Sequence, residues 1–248
     1  MYATLDVVDP FMAAVAVRYP VRPRLEEWVL PEGTVPESVL HDAVAERLKL
    51  LLSAWAQHVE RPVWVARNLA IRWLEKTPSI GIDPDVCVLD PPPDGIEDLG
   101  SLCLWKPGHK APPLCIEVVS ANHPHKDYAA IQDRYAAMGT RELVVFDPLL
   151  AGPSSLGGPV ALQLWRHDDV GLFERVHFGS SPVFSETLDA WFLPEGRVLA
   201  IANDKHGAQP WLTKEEQERA EKERERAARL ELERRLVALE AAAKNNQR

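Results

Sequence analysis

Two carboxylates in this 248-residue chain sit where an acid is costly to place. Asp85 opens the apolar run Asp85-Val86-Cys87-Val88-Leu89, directly after a proline-containing turn, and Glu117 lies inside Leu114-Cys115-Ile116-Glu117-Val118-Val119. Strand alternation puts Leu114, Ile116 and Val118 on one face and Cys115, Glu117 and Val119 on the other. A glutamate in such a strand is expensive to bury unless it is paired or binds a cation. Two carboxylates converging from adjacent strands make a hard oxygen site suited to Mg²⁺. An ion held there activates a water and stabilises charge developing on a phosphodiester. A plainer arrangement fits the same spacing: Glu117 pairs with an Arg or Lys of the following helix, and Asp85 caps a turn.

Other titratable residues are weaker candidates. His123 and His125 alternate in the turn Ser120-Ala121-Asn122-His123-Pro124-His125. That spacing brings them near a phosphate or metal, or leaves them as solvated turn residues. His41 falls near the start of an amphipathic helix and either faces the site or serves as a hydrogen-bonded structural histidine. Glu46, one turn on, is a candidate helix-borne metal ligand. Cys87, Cys103 and Cys115 form no CxxC knuckle and read as buried, reduced thiols. GxGxxG, P-loop, GxSxG and HExxH motifs are absent from the sequence.

These residues need elements to position them. A Pro-rich opening to about Pro36 reads as short edge strands and turns. The pattern predicts a first helix over Glu37–Val59, capped by Ser38, with Val39, Ala43, Leu48, Leu51, Leu52 and Trp55 as its apolar stripe. Strands are expected at Val63–Ala66, Leu69–Leu74 and Asp85–Leu89, the last ended by Pro91-Pro92-Pro93. A strand over Leu114–Val119, a helix over Lys126–Met138 closed by Gly139 and a strand over Leu143–Phe146 make a βαβ unit of a mixed or parallel sheet. Ala161–His167 and Leu172–Phe178 read as a hairpin. From Thr213 to Asn245 the chain has neither Pro nor Gly, which predicts one helix of about 50 Å. Leu232, Leu236, Leu239 and Ala243 step by four, three and four, as coiled-coil core positions do. The span is about two heptads, so a solvated helix laced by i,i+4 pairs and self-association both stand.

Composition narrows the class. The chain is 46% hydrophobic and 26% charged, ordinary for a globular protein. It has no apolar run of the ~18 residues needed to span a membrane, and its start lacks a secretory pattern. A cytoplasmic protein is expected. Residues before Trp211 hold eighteen basic and twenty-eight acidic side chains, a net of −10. Phosphate contacts need a basic footprint, so cations must offset this charge if the substrate is nucleic acid.

The run Asp83–Pro148 resembles the Uma-two family of restriction-like endonucleases in the PD-(D/E)xK superfamily. The resemblance rests on Pro84-Asp85-Val86, then Glu117-Val118-Val119-Ser120, Asp127 ten residues after the Glu, Tyr135 eight further on, and Glu142-Leu143-Val144-Val145-Phe146-Asp147-Pro148. His41 resembles the family's helix-borne His. The dense match covers about 65 residues, with weaker agreement from Pro36 to Ile201. It implies an α/β (α+β) fold with a restriction-endonuclease-like mixed β-sheet flanked by helices, followed here by the long C-terminal helix. With the composition along the chain, the expected division is a Pro-rich segment at 1–36, a nuclease-like domain at 37–205 and a charged helix, a candidate short coiled coil, at 211–248. It also implies DNA hydrolysis with Mg²⁺ or Mn²⁺ held by Asp85, Glu117 and the carbonyl of Val118. The motif lysine is displaced: Val119 and Ile131 occupy the two positions where relatives carry it, and Lys126, beside Asp127, is the nearest substitute. The competing expectation is a nuclease-like fold without catalysis, acting as a binding or assembly module and homo-oligomer through its C-terminal helix.

Overall fold

The computed structural model describes residues 38–245 except 123, 130 and 169–171, with side chains to residue 235. The Pro-rich opening segment and His123 therefore lie outside the described residues. Helix α1 (Val39–Ala56) starts where the cap signal puts it: the Ser38 hydroxyl accepts from the N–H of His41 at 3.2 Å. Its buried face is His41, Val44, Ala45, Leu48, Leu51 and Leu52, whereas Val39 is 89% exposed. The stripe expected from Val39 and Ala43 is thus rotated about the axis, because the face that follows the sheet begins at His41.

The strands are β1 (Trp64–Ala66), β2 (Ala70–Arg72), β3 (Gly81–Ile82), β4 (Val86–Leu89), β5 (Ser101–Cys103), β6 (Leu114–Val118), β7 (Glu142–Phe146), β8 (Leu162–His167), β9 (Phe173–Gly179), β10 (Val183–Ser185), β11 (Ala190–Glu195) and β12 (Val198–Ala202). A six-stranded mixed sheet runs β1-β4-β6-β7-β8-β9, in which only β6 and β7 are parallel. Two three-stranded sheets, β10-β11-β12 and β3-β2-β5, complete the described strands. The last two sheets were not legible as such, since their strands are two to six residues long and carry little alternation.

Both faces of the main sheet are covered, which is why β4, β6 and β7 read as continuous apolar runs. On one face Val86, Ile116, Val118 and Val144 pack against Leu48, Leu52, Phe192 and Ile201. On the other, Cys87, Cys115 and Val145 pack against Tyr128, Ile131 and Tyr135. The expected crossover helix is two helices, α2 (Pro124–Ala129) and α3 (Gln132–Met138). Next to the junction, the Gln132 side-chain amide donates to the Asp127 carbonyl at 2.9 Å. Gly139 closes α3 at φ 89°, a left-handed position that glycine adopts without strain.

Glu142 ties the sheets together. It is fully buried, and its two oxygens accept from Arg166 (2.7 and 2.9 Å), Ser185 (2.6 Å) and the N–H groups of Glu186 (3.0 Å) and Thr187 (3.2 Å). The chain divides into a unit ending at Trp211 and a second beginning at Leu212. The second is helix α4 (Lys214–Asn245), opened by a reciprocal capping box between Thr213 and Glu216. Its surface carries the pairs Arg229–Glu233 and Arg235–Glu231, and Leu232 is 65% exposed. The side chains of Leu236, Leu239 and Ala243 lie outside the described residues. No helix among the described residues is long and apolar enough to cross a membrane. Removing the Glu142 carboxylate strands three buried or part-buried donors and leaves Arg166 only Glu186 and the Phe184 carbonyl, so Glu142→Ala is expected to lower the urea-unfolding free energy by about 3–5 kcal/mol. A loss below about 1 kcal/mol would show that the tie is dispensable.

Candidate functional site

The candidate site lies where β4 begins and β6 ends, side by side because the two strands are antiparallel. Val119 donates its N–H to the Phe146 carbonyl at 2.7 Å, so the odd-numbered peptide groups at this end of β6 face β7 and the even-numbered ones face β4. The β4–β6 register pairs Val86 with Ile116, and extending it by two places Pro84 opposite Val118. Proline has no N–H to offer the Val118 carbonyl. The Val118 N–H in turn donates to Asp85 Oδ2 at 2.7 Å instead of to a backbone oxygen. The Pro-Asp pair therefore ends the ladder, leaves a carbonyl without its ladder donor and sets a carboxylate beside it.

Asp85 is buried and its Oδ2 also accepts from His41 Nε2 at 3.0 Å. Helix α1 thus reaches round the end of the sheet to hold the carboxylate. Glu117 is 1% exposed, and one of its oxygens accepts from the hydroxyl of Tyr135, which is itself fully buried on α3. Burial pushes the Glu117 carboxyl well above the usual carboxylate range, opposed by the positive charge of Lys126 and reinforced by Asp85 and Asp127. Asp127 of α2 is a third buried carboxylate at this end. Its Oδ2 accepts from the Ser120 N–H at 3.4 Å, and burial lifts its carboxyl to about 7 against the pull of Lys126.

Lys126 stands with its side chain 53% exposed and its Nζ 3.9 Å from Asp127 Oδ1. The charge of Glu117, ahead of that of Asp127, holds its ammonium above the ordinary lysine value. The two positions expected for a motif lysine are filled by core residues: Val119 is 2% exposed and Ile131 1%. Asp85, Glu117, Val118 and Lys126 are therefore brought to one end of the sheet. His125 is exposed on α2, and Glu46 is drawn off at 2.8 Å by Arg67, which also bonds Asp42 at 2.5 Å. Cys87 and Cys115 face each other across β4 and β6, and burial pushes the Cys87 thiol up to about 12, so neither is set up as a nucleophile.

Asp127, Tyr135 and His41 complete the arrangement, and strand periodicity gave none of them a role. Their signal lay in spacing across elements, since each acts on a residue 18 to 44 positions distant, apart from Asp127 seven from Ser120. The donor set is all oxygen and its negative charge is undersupplied with cations, which fits a hard divalent ion. Among the described residues, no three His, Cys, Asp or Glu side chains stand as a metal cluster. The fit is accordingly to two carboxylates and a carbonyl, with remaining positions left to solvent or substrate.

A mixed sheet sandwiched by helices, with a Pro-Asp strand start beside a buried Glu, defines a restriction-endonuclease-like α+β domain. Residues 18–199, most of the chain, match the family model Uma2, described as "putative restriction endonuclease", and the chain belongs to this family. No curated protein matches it. Among solved structures it is similar to one described as a "putative nuclease belonging to DUF820", from Anabaena variabilis, at 12% identity and a TM-score of 0.44 over 64% of this chain and 81% of that one.

The raised carboxyls give a signed pH dependence. Asp127 holds its proton more tightly folded than unfolded, so its contribution to stability is full below about pH 4 and is lost as pH rises through about 7. In metal-free buffer, Asp127→Asn is expected to stabilise the protein at pH 8 by on the order of 1–3 kcal/mol and to flatten the decline between pH 4 and 7. Thermal melts across that range in EDTA check it; a variant less stable than wild type at pH 8 would contradict it.

Proposed function

We propose that this chain is a divalent-metal-dependent DNA endonuclease. The observation that supports it most is the meeting of Asp85, the buried Glu117 and the Val118 carbonyl at one strand end, with a lysine alongside. Asp85 and Glu117, with the Val118 carbonyl, would hold Mg²⁺ or Mn²⁺. A bound ion of this kind supplies Lewis-acid polarisation of a phosphoryl oxygen and a more acidic water. His41 and the Val118 N–H fix the Asp85 carboxylate, and Tyr135 fixes that of Glu117, so both are oriented before substrate arrives. Lys126, kept charged by Glu117 and Asp127, orients the attacking water and offers N–H donors to oxygen on which negative charge develops. A cytoplasmic location suits the reduced thiols.

Calorimetry with Mg²⁺ and Mn²⁺ on wild type and Glu117→Ala tests the site. Wild type is expected to bind, and the variant to lose both binding and cleavage of duplex DNA. Lys126→Ala is expected to keep the ion and lose about 10²–10³-fold in cleavage rate. Wild type that binds neither ion in the presence of DNA would sink the reading.

One pair of observations favours a second reading, in which the fold acts without hydrolysis as an assembly module. Val119 and Ile131 bury the lysine positions, and α4 is a separate charged unit. Light scattering on a chain ending at Trp211 decides it: this reading requires a smaller oligomer than the full chain, and no cleavage by wild type in any divalent ion.

A further inference from the structure

A guanidinium held against the start of α1 takes no part in the mechanism above. The β1–β4 register pairs Ala66 with Cys87, which sets Arg67 next to Val86 and brings Asn68 alongside Asp85. The Asn68 N–H donates to the Pro84 carbonyl at 2.9 Å, pinning this corner to the Pro-Asp turn. Alternation puts Arg67 on the same side as Val65, towards α1. There its two terminal nitrogens meet Asp42 (2.5 Å) and Glu46 (2.8 Å), one helical turn apart. The same first turn of α1 thus holds Asp85 through His41 and Arg67 through Asp42.

The two ends of this tie are unequal. The Arg67 side chain is 15% exposed, while those of Asp42 and Glu46 are 65% and 46% exposed. Arg67 Nε is buried and has no hydrogen-bond partner, so the guanidinium fork is incompletely used. Exposed carboxylates contribute little as ion-pair partners, whereas a phosphodiester matches the guanidinium fork with two oxygens. Another arginine of this unit, Arg72, is instead committed to Asp83 and to the Ile71 carbonyl.

We propose that Arg67 is a backbone-phosphate contact held in reserve, its guanidinium occupied by Asp42 and Glu46 in the free protein and transferred to a phosphodiester of nucleic acid bound across the carboxylate site. The inference rests on the nucleic-acid reading of that site. It explains how so acidic a domain makes a phosphate contact: the cation is present, but masked by carboxylates that swing into solvent when displaced.

Fluorescence anisotropy of a fluorescein-labelled duplex oligonucleotide, titrated with the full chain in Ca²⁺ at several KCl concentrations, tests it. Arg67→Gln is expected to weaken binding about tenfold and to lower the slope of log K against log salt by about one. Asp42→Asn is expected to tighten binding about threefold in the wild-type background and to do nothing in Arg67→Gln, since its effect runs through the arginine. Equal tightening in both backgrounds would reduce the effect to net charge and overturn the proposal. Weakening by Asp42→Asn would make the tie a scaffold and overturn it as well. Wild type that binds no duplex at any salt would remove the nucleic-acid reading and this inference together, whereas binding indifferent to Arg67→Gln would remove this inference alone.

Discussion

The bond from the Val118 N–H to the Asp85 carboxylate governs this end of the molecule. An antiparallel ladder continued past Val86 would have used both polar groups of Val118 on the backbone opposite. Pro84 forbids that, because it has no N–H and its carbonyl is taken by Asn68. The ladder stops, and a side chain completes half of it. Everything else at this end follows from filling that gap. His41 must cap the carboxylate that has replaced a peptide carbonyl, so α1 must start at Ser38 and run back along the sheet. Arg67 and Asn68 must turn beside it, and Glu117 is left one residue from a carbonyl that Pro84 cannot pair.

Two buried glutamates in the same sheet show how differently one cost is met. Glu142 has a full set of donors: a guanidinium, a hydroxyl and two peptide N–H groups. It serves as a structural clasp between sheets, and nothing about it calls for a further partner. Glu117, in the neighbouring strand, has one phenol, the largely exposed Lys126 and two like-charged neighbours. Burial that Lys126 and Tyr135 only partly offset raises its proton affinity, and the same deficit makes it receptive to a cation. What separates Glu142 from Glu117 is this unmet demand and not burial, which the two share.

That distinction sets the limit of what the sequence could show. The strands β4, β6 and β7, the parallel β6–β7 pair, the Ser38 cap and the Gly139 stop were legible, because each is written in a local pattern of apolar residues or turn chemistry. The division into α2 and α3 was not, since no periodicity in that stretch records it. Nor were β3, β5 and β10 to β12, whereas β2 falls inside the strand expected over Leu69–Leu74. Among site residues, Asp85 and Glu117 stood out as acids in apolar strands. The roles of His41, Tyr135 and Asp127 depend on which elements pack together, and a single sequence expresses that only through its likeness to a family.

The absent motif lysine has a packing explanation that leaves the charge requirement intact. Val119 and Ile131 both sit in the core beneath α2 and α3, where Tyr128 and Tyr135 close over Cys115 and Val145. An ammonium at either position would lie in that apolar layer with no donor network to satisfy it. Lys126 avoids this by sitting in the first turn of α2, where its stem runs along the surface while its head meets the field of Glu117 and Asp127. Moving the cation outward carries a consequence: more than half of its side chain stays in water, where its field is screened and its position is less fixed. A site built this way leans on groups that orient the carboxylates, and here those groups, His41, Tyr135 and the Val118 peptide, are buried and hydrogen-bonded to them.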